Sequence, residues 1–208
     1  MHPTPGPGGW ERTPATPPLG ARLPLVVPLT LFDAAQYRPN GPLPLGSHAY
    51  ASDLREVKKL GRLDSPFRTE EQTRTALFWT DHDIPQWNRN LLRLAAQPGL
   101  RAVQTARMLA MAHVSGGDAM MACFDAKYHY LSWRPLHAIQ RAETDGNPLT
   151  QPDPAWQPLR PTPNHPEYPS AHACHTTAIT VALERFFGTG AVPLTLDSLA
   201  TGETHDYD

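Results

Sequence analysis

The chain has 208 residues, enough for one sizeable hydrophobic core. A net charge of −2 and a pI near 6.5 argue against the basic face with which proteins bind nucleic acid. No apolar stretch approaches the roughly 18 residues of a membrane span, and Met1 is followed by proline and glycine, so no signal peptide is visible. The compartment and the oligomeric state stay open.

The first 50 residues are rich in proline, which disfavours regular helix and central strand. A disordered linker is one interpretation, but apolar residues in this stretch favour an extended arm packed on, or leading into, the core. We therefore predict an arm over residues 1–50 and a helical domain over residues 51–208. The prediction depends on Pro3, Pro5, Pro7, Pro14, Pro17, Pro18, Pro39, Pro42 and Pro44, and on Trp10, Leu25, Val26, Val27, Phe32 and Tyr37.

Helical patterns begin after residue 50. Thr69 and Gln72 have the spacing of a capping box, in which a hydroxyl and an amide satisfy the first-turn N–H groups, and they open a helix that runs through Phe78. Asp83 is expected to cap the next helix, with Pro85 in its first turn.

The Pro-Gly pair at 98–99 is expected to end that helix. Apolar residues then recur at helical spacing over 100–112, and the Gly-Gly pair at 116–117 is expected to break this run. Asp118 would cap a further helix that reaches Lys127 and whose methionines fill the core.

A last helix is predicted over residues 170–187, with Gly188 at the C-terminal stop. Little of the chain alternates as strands do, so the predicted fold class is all-α and bundle-like. Cys123 and Cys174 give no disulfide framework and no zinc spacing. We interpret them as small buried side chains, and a disulfide between them stays open.

One short segment with site residues lies at the start of the last helix. Pro166 and Pro169 favour an extended approach, so Ser170 falls at the helix N-terminus. Free N–H groups and the positive dipole end favour an anion there, beside the Ser170 hydroxyl and the N–H groups of Ala171 and His172. Alone, Ser170 is more often an ordinary N-cap and His172 a structural histidine.

An earlier segment contains two cations, Lys127 and Arg134, seven residues apart. On one straight helix they share a face; alternatively, Pro135 breaks the helix and turns Arg134 inward. Arginine offers planar bidentate donors and lysine a compact charge, which suits an oxyanion such as phosphate or vanadate. A lone pair of cations is usually solvated surface, but its combination with the later segment favours a binding site.

The order Lys-x6-Arg-Pro at 127–135, then Pro-Ser-Ala-His at 169–172, resembles the superfamily that joins vanadium-dependent haloperoxidases and type 2 phosphatidic acid phosphatases. The stretches 9–14, 68–73 and 134–139 resemble its soluble haloperoxidase-related branch. The resemblance implies a helical bundle of the haloperoxidase/acid phosphatase type. It also implies vanadate, peroxide and halide for a haloperoxidase, or a phosphomonoester and no cofactor for a phosphatase.

The resemblance also implies a role for each matching residue. His172 would be the general acid/base, since a histidine titrates near neutrality. His165, five residues before Ser170, is the candidate halide-site residue and favours bromide. The residues implied to bind oxygens of vanadate or phosphate are Lys127, Arg134, Ser170 and, through its N–H, Ala171.

Two departures from the family pattern stand out. Ala171 replaces a glycine, which is a cost if that position needs a positive φ and harmless if it is helical. The third motif, Ser-Arg-x5-His-x3-Asp, is not found: Ser198 and His205 have its spacing, but Leu199 replaces the arginine and Asp208 is one residue early. The histidine that would bond vanadium is therefore absent from this chain. We expect a fragment of a longer protein that is inactive alone.

Three alternatives to a haloperoxidase remain. A phosphomonoesterase would use the same oxyanion pocket, and a non-catalytic helical module would carry a degenerate one. A metal-binding histidine cluster is the third, although no pair has the spacing of a zinc motif. Its members would be His129, His137, His165, His172 and His175.

Overall fold

The computed structural model describes residues 6–12, 17–96 and 99–207. Within them the chain forms six α-helices, two short 3-10 helices and one hairpin, so the predicted all-α class is confirmed. The elements are α1 (His48–Leu60), α2 (Glu70–Phe78), α3 (Asp83–Ala95), α4 (Ala102–Tyr130), α5 (Pro135–Gln140), α6 (Ala171–Phe187), β1 (Leu194–Asp197), β2 (Thr204–Tyr207) and the 3-10 helices Leu23–Leu25 and Ala142–Thr144. The sequence predictions that involve Pro3, Pro5, Thr13, Pro14, Pro98 and Asp208 fall outside the described residues.

The chain divides into two compact units, and α4 contributes residues to both. The first unit comprises Met1–Val26, Ala34–Arg68 and Ala122–Ser170. The second comprises Val27–Asp33, Thr69–Met121 and Ala171–Asp208. The proline-rich stretch before residue 50 therefore supplies segments to each unit.

The first unit is organised around aromatic residues that follow α4. Trp133, Ile139 and Trp156 are buried together against Leu54 of α1. Trp10 is fully buried as well, with its ring 5.9 Å from that of Tyr128 in an edge-on arrangement. Trp10 is thus part of the packing of the first unit. Leu25, Val27, Phe32 and Tyr37 are exposed.

The second unit has its own core, to which α2, α3, α4, α6 and β1 all contribute. Its buried members are Phe78, Trp87, Leu91, Leu94, Met108, Ala112, Ile179, Leu183 and Leu196. The β1–β2 hairpin, which the sequence did not predict, pairs Leu194 with Tyr207 and Asp197 with Thr204. Only Leu196 of β1 is buried, so the hairpin adds one apolar side chain to a helical core.

Helix ends follow local chemistry. The Thr69 hydroxyl accepts from Gln72 N at 3.1 Å and the Gln72 amide accepts from Thr69 N at 2.9 Å, so the predicted capping box is confirmed. Gly188 ends α6 with φ +72° and donates its N–H to Glu184 O, also as predicted. Asp83 is the first residue of α3 and not its cap, which is His82.

The expected helix break at Gly116 and Gly117 is wrong, because α4 continues through both. A Cβ on Gly116 would lie 2.8 Å from the His175 ring and 3.2 Å from Ile179, whereas one on Gly117 would meet nothing within 4 Å. A glycine within a helix costs only about 1 kcal/mol. At Gly116 it allows close packing against α6.

The expected cap at Asp118 is also wrong, since the residue lies inside α4 and is 3 % exposed. Its carboxylate accepts the N–H groups of Leu29 and Thr30 at 2.7 Å each and the Thr30 hydroxyl at 2.6 Å. Burial alone raises the pKa of Asp118, but these hydrogen bonds outweigh it and hold the pKa below its ordinary value. Asp118 therefore anchors the segment 27–33 within the second unit.

Candidate functional site

Lys127 lies in the last turn of α4 and is 1 % exposed. Its Nζ donates to Pro166 O at 2.9 Å and to Glu167 O at 2.7 Å, and lies 6.0 Å from the centre of the Phe124 ring. A buried ammonium needs such partners, because desolvation otherwise disfavours its charge. Lys127 thus fixes the segment that leads to Ser170.

Arg134 is placed by a helix break, which decides between the two predicted arrangements. The helix α4 ends at Tyr130, and Leu131 then adopts φ 49°, an unfavourable conformation for a residue with a side chain. Arg134 is extended, with Pro135 as the first residue of α5. The break at Leu131, ahead of Pro135, therefore takes Arg134 out of the line of α4.

The guanidinium of Arg134 is nearly buried and incompletely paired. One of its terminal nitrogens lies 2.6 Å from a Glu167 carboxylate oxygen, and its side chain is 12 % exposed. Its Nε is buried and has no hydrogen-bond partner among the described residues. Burial lowers the pKa of Arg134, and Glu167 opposes that shift. An N–H group is thus left for a further acceptor.

Ser170 is exposed and directly precedes α6, as the sequence predicts for a helix N-terminus. Ala171 is the first residue of α6, and Leu131 is the only non-glycine residue with positive φ in the described part of the chain. The methyl group of Ala171 therefore carries no backbone strain.

His165, the candidate halide-site residue, lies half-buried in the first unit. Its Nδ1 is 2.9 Å from Pro166 O, and its ring centre is 5.5 Å from that of Phe124, edge to face. It therefore neighbours the same 166–167 segment that Lys127 binds.

His172 is the second residue of α6 and belongs to the second unit. Its Nε2 lies 3.1 Å from Asp81 O. The Asp81 carboxylate is itself fixed by Arg89 at 2.7 Å and by Leu199 N at 2.9 Å. If Nε2 donates to this carbonyl, the neutral ring keeps Nδ1 as its proton acceptor.

A second buried histidine, His175, forms a pair that the sequence did not predict. Its Nδ1 is 3.2 Å from Oδ2 of Asp83, and both side chains are under 10 % exposed. Burial raises the pKa of Asp83, but His175, with the further histidines His172 and His82, lowers it below its ordinary value. No local pattern relates the start of α3 to the first turns of α6, so spacing could not reveal this pair.

Glu167 was not predicted from the sequence either, although the sequence contains an indication of its role. A pair of buried cations needs a carboxylate, and Glu167 lies between Pro166 and Tyr168 in the very segment that precedes Ser170. Asking which acid compensates Lys127 and Arg134 would have found it.

The residues with the third-motif spacing have structural partners. Ser198 is buried and donates its hydroxyl to Phe78 O at 2.8 Å, and the His205 ring centre is 4.5 Å from that of Phe78. Cys123 and Cys174 are not joined by a disulfide, the pairing that the sequence left open. No group of three or more His, Cys, Asp or Glu side chains in the described part could hold a metal ion.

None of the described helices has the length and hydropathy that crossing a membrane requires.

Two comparisons bear on these motifs. Residues 107–206 match the family model of the VCPO second helical-bundle domain, which includes both candidate segments. This match supports the resemblance of the chain to the vanadium-dependent haloperoxidases. The chain is also similar to the crystal structure of the first bacterial vanadium-dependent iodoperoxidase, with a TM-score of 0.72 and 22 % identity over 97 % of this chain. At a sequence identity of 22 %, this likeness establishes that the two proteins share a fold, and nothing about a shared function.

The chain spans half the length of the iodoperoxidase chain that it matches. Among curated proteins, none matches this sequence. Vanadate is the cofactor that the superfamily implies, and the donor chemistry of this chain fits it. Arg134 is a nearly buried cation whose Nε–H has no partner among the described residues, and anions of this class are bound by such charge-assisted donors.

Proposed function

We propose that this chain provides the oxyanion-binding residues of a vanadium haloperoxidase-type site. Arg134 carries the proposal, because its side chain is nearly buried while its buried Nε lacks a partner among the described residues. Lys127 adds a second buried charge on the segment 166–167. The Ser170 hydroxyl and the N–H of Ala171, the next residue, are the proposed neutral donors.

Vanadate, when bound, supplies the centre at which peroxide becomes polarised for attack by halide. The two cations stabilise the negative charge of the oxyanion, and their burial strengthens that effect because water screens them little. His172 is the proposed acid/base residue. With Nε2 donating to Asp81 O, the neutral ring would accept a proton at Nδ1 and return it from there.

Binding of inorganic phosphate and of vanadate, measured by calorimetry and by ⁵¹V NMR line width, tests the proposal. Arg134→Gln is expected to weaken both, because one hydrogen bond to a charged group contributes about 1.5–3 kcal/mol, or roughly 10- to 150-fold in affinity. The matched control is Arg160→Gln, an exposed arginine of the same unit. Equal weakening by the two substitutions would refute a site at Arg134.

Two assays separate the enzyme classes. Hydrolysis of p-nitrophenyl phosphate without vanadate would support the phosphatase alternative. Oxidation of bromide by peroxide only in the presence of vanadate would support the haloperoxidase, with His165 as the proposed halide-site residue. Anion binding without either reaction is the outcome expected of these 208 residues, both as part of a haloperoxidase-type site without its third motif and as a non-catalytic module.

A further inference from the structure

A cavity of about 580 Å³ lies in the first unit and is lined by none of the candidate site residues. It is formed by one face of α1, the turn that follows α1, and residues 149–151. Leu54, Phe67 and Leu149 give it an apolar lining. Cavities of this size accept small organic molecules.

The charge of this lining is strongly positive. Lys58 and Lys59 lie three and four residues after Arg55 on α1, a spacing that places them on the same side of the helix as Arg55, and Arg62 lies in the turn that follows α1. The single carboxylate of the lining, Asp64, belongs to an ion pair with Arg62 at 2.6 Å. Because the whole chain has a net charge of −2, this local excess of positive side chains indicates a local role.

Two of these cations are fixed by the protein itself. Lys58 donates its Nζ to Gln151 O at 2.6 Å, which ties α1 to the residues opposite. Arg62 pairs with Asp64 and, at 3.2 Å, with Asp153. These two side chains hold the walls in place and leave little donor capacity for a ligand.

The other two cations have no such partner. Within the described residues, no hydrogen bond or ion pair involves the guanidinium of Arg55 or the Nζ of Lys59. The Nζ of Lys59 lies 4.5 Å above the centre of the Phe67 ring, and Phe67 is 60 % exposed. The Lys59 ammonium thus has a cation–π contact but no hydrogen-bond or ion-pair partner among the described residues, and much of the Phe67 ring is exposed.

We propose that this cavity binds a small organic anion, with an aromatic body and one carboxylate or sulfonate. The aromatic body would cover Phe67 and Leu149, while Arg55 and Lys59 bind the anionic group. An inorganic anion would leave the apolar lining exposed, and a neutral molecule would leave both cations unpaired. The proposal concerns residues other than the oxyanion site and stands independently of it.

Three isosteric probes test the charge preference: 2-naphthoate, 2-naphthamide and 2-naphthylmethylammonium, titrated by calorimetry. The anion is expected to bind at least about tenfold more tightly than the amide, and the cation more weakly still. Raising the salt from about 0.01 M to about 1 M shortens the screening length from about 30 Å to about 3 Å and should remove most of this preference. Equal affinities for all three probes would overturn the proposal.

Substitutions locate the site. Arg55→Gln combined with Lys59→Gln should abolish the preference for naphthoate over naphthamide, and Phe67→Ala should weaken both probes. Arg185→Gln, on the exposed face of α6, is the control and should change neither. Circular dichroism of each variant establishes that it is folded. A double variant that keeps the preference, or a control that loses it, contradicts the assignment.

Amine acylation gives a second readout that needs no variant. The lysines of the chain are Lys58, Lys59 and the buried Lys127, so the label reports mainly on this cavity. Naphthoate should slow the acylation of Lys59 several-fold, while naphthamide should slow it less. Unchanged labelling of Lys59 at saturating naphthoate would contradict the assignment.

Discussion

At the scale of single residues, the candidate site is dominated by the cost of burying charge. The Lys127 ammonium is stabilised by hydrogen bonds to the carbonyl groups of Pro166 and Glu167. The Arg134 guanidinium is stabilised by an ion pair with the Glu167 carboxylate. A bound oxyanion and Glu167 would offer negative charge to the same guanidinium, so they compete for it.

Replacing Glu167 tests this competition. Glu167→Gln removes the charge that Arg134 faces and keeps the shape of the side chain, so phosphate affinity should rise several-fold, by roughly 1 kcal/mol of relieved competition. Calorimetric titration with phosphate measures the change. Glu143→Gln, an exposed acid of the same unit, is the control and should leave the affinity unaltered. Weaker binding by Glu167→Gln would show that Glu167 helps to position Arg134 for the anion.

The lowered pKa of Asp118 makes the stability of the second unit depend on pH in the acidic range. The pKa of Asp118 is held below its ordinary value. Its contribution to the free energy of unfolding is therefore complete when the pH is above the ordinary pKa, and it disappears as the pH falls through the lowered pKa. Asp118→Asn should therefore lower the free energy of unfolding at pH 7 by about 2 kcal/mol, the scale of a lost charged hydrogen bond. The difference from the parent chain should shrink below about pH 4.

Urea unfolding at several pH values measures this difference. Asp53→Asn, which replaces an exposed carboxylate on α1, provides the control. A constant deficit of the Asp118 variant from pH 7 to pH 3 would mean that its effect is not electrostatic.

At the scale of elements, sequence reasoning succeeded where a boundary has a local cause. Thr69 with Gln72, and Gly188, mark helix ends through contacts within one turn, so their spacing suffices. It failed where the cause is distant in sequence. The glycine at 116 is required by close packing against α6, and the buried carboxylate at 118 is required by its hydrogen bonds to the segment 27–33. The residues of the candidate site came from two motifs, whereas Asp83 and Glu167 became visible only as partners of other side chains.

The two adjacent glycines of α4 offer a matched pair of substitutions. Gly116→Ala should destabilise the protein by about 1–3 kcal/mol, because its methyl group meets the ring of His175 and overpacks the contact with α6. Gly117→Ala, where nothing lies within 4 Å, should instead stabilise by up to about 1 kcal/mol through helix propensity. Thermal and urea unfolding measure both. Equal effects of the two alanines would show that the packing against His175 does not decide the choice of glycine.

At the scale of the whole molecule, activity depends on groups that act together. The chain carries Lys127, Arg134 and His172, but Ser198 and His205 are occupied by contacts with Phe78. No Ser-Arg-x5-His motif supplies the second arginine and the histidine that the family resemblance calls for. Since catalytic groups that work as a unit do not contribute additively, the remaining ones should give binding without turnover.

We therefore expect these 208 residues to bind vanadate weakly and to show no vanadate-dependent oxidation of bromide. Bromination of a dye by peroxide and bromide, with and without vanadate, measures the rate, and an active vanadium haloperoxidase serves as the positive control. A clear rate that is lost in His172→Ala would contradict this expectation. A replacement ligand would then be sought first at His175, because its Nδ1 faces Asp83 in a buried pair, and a carboxylate that orients an imidazole is what a ligand histidine needs.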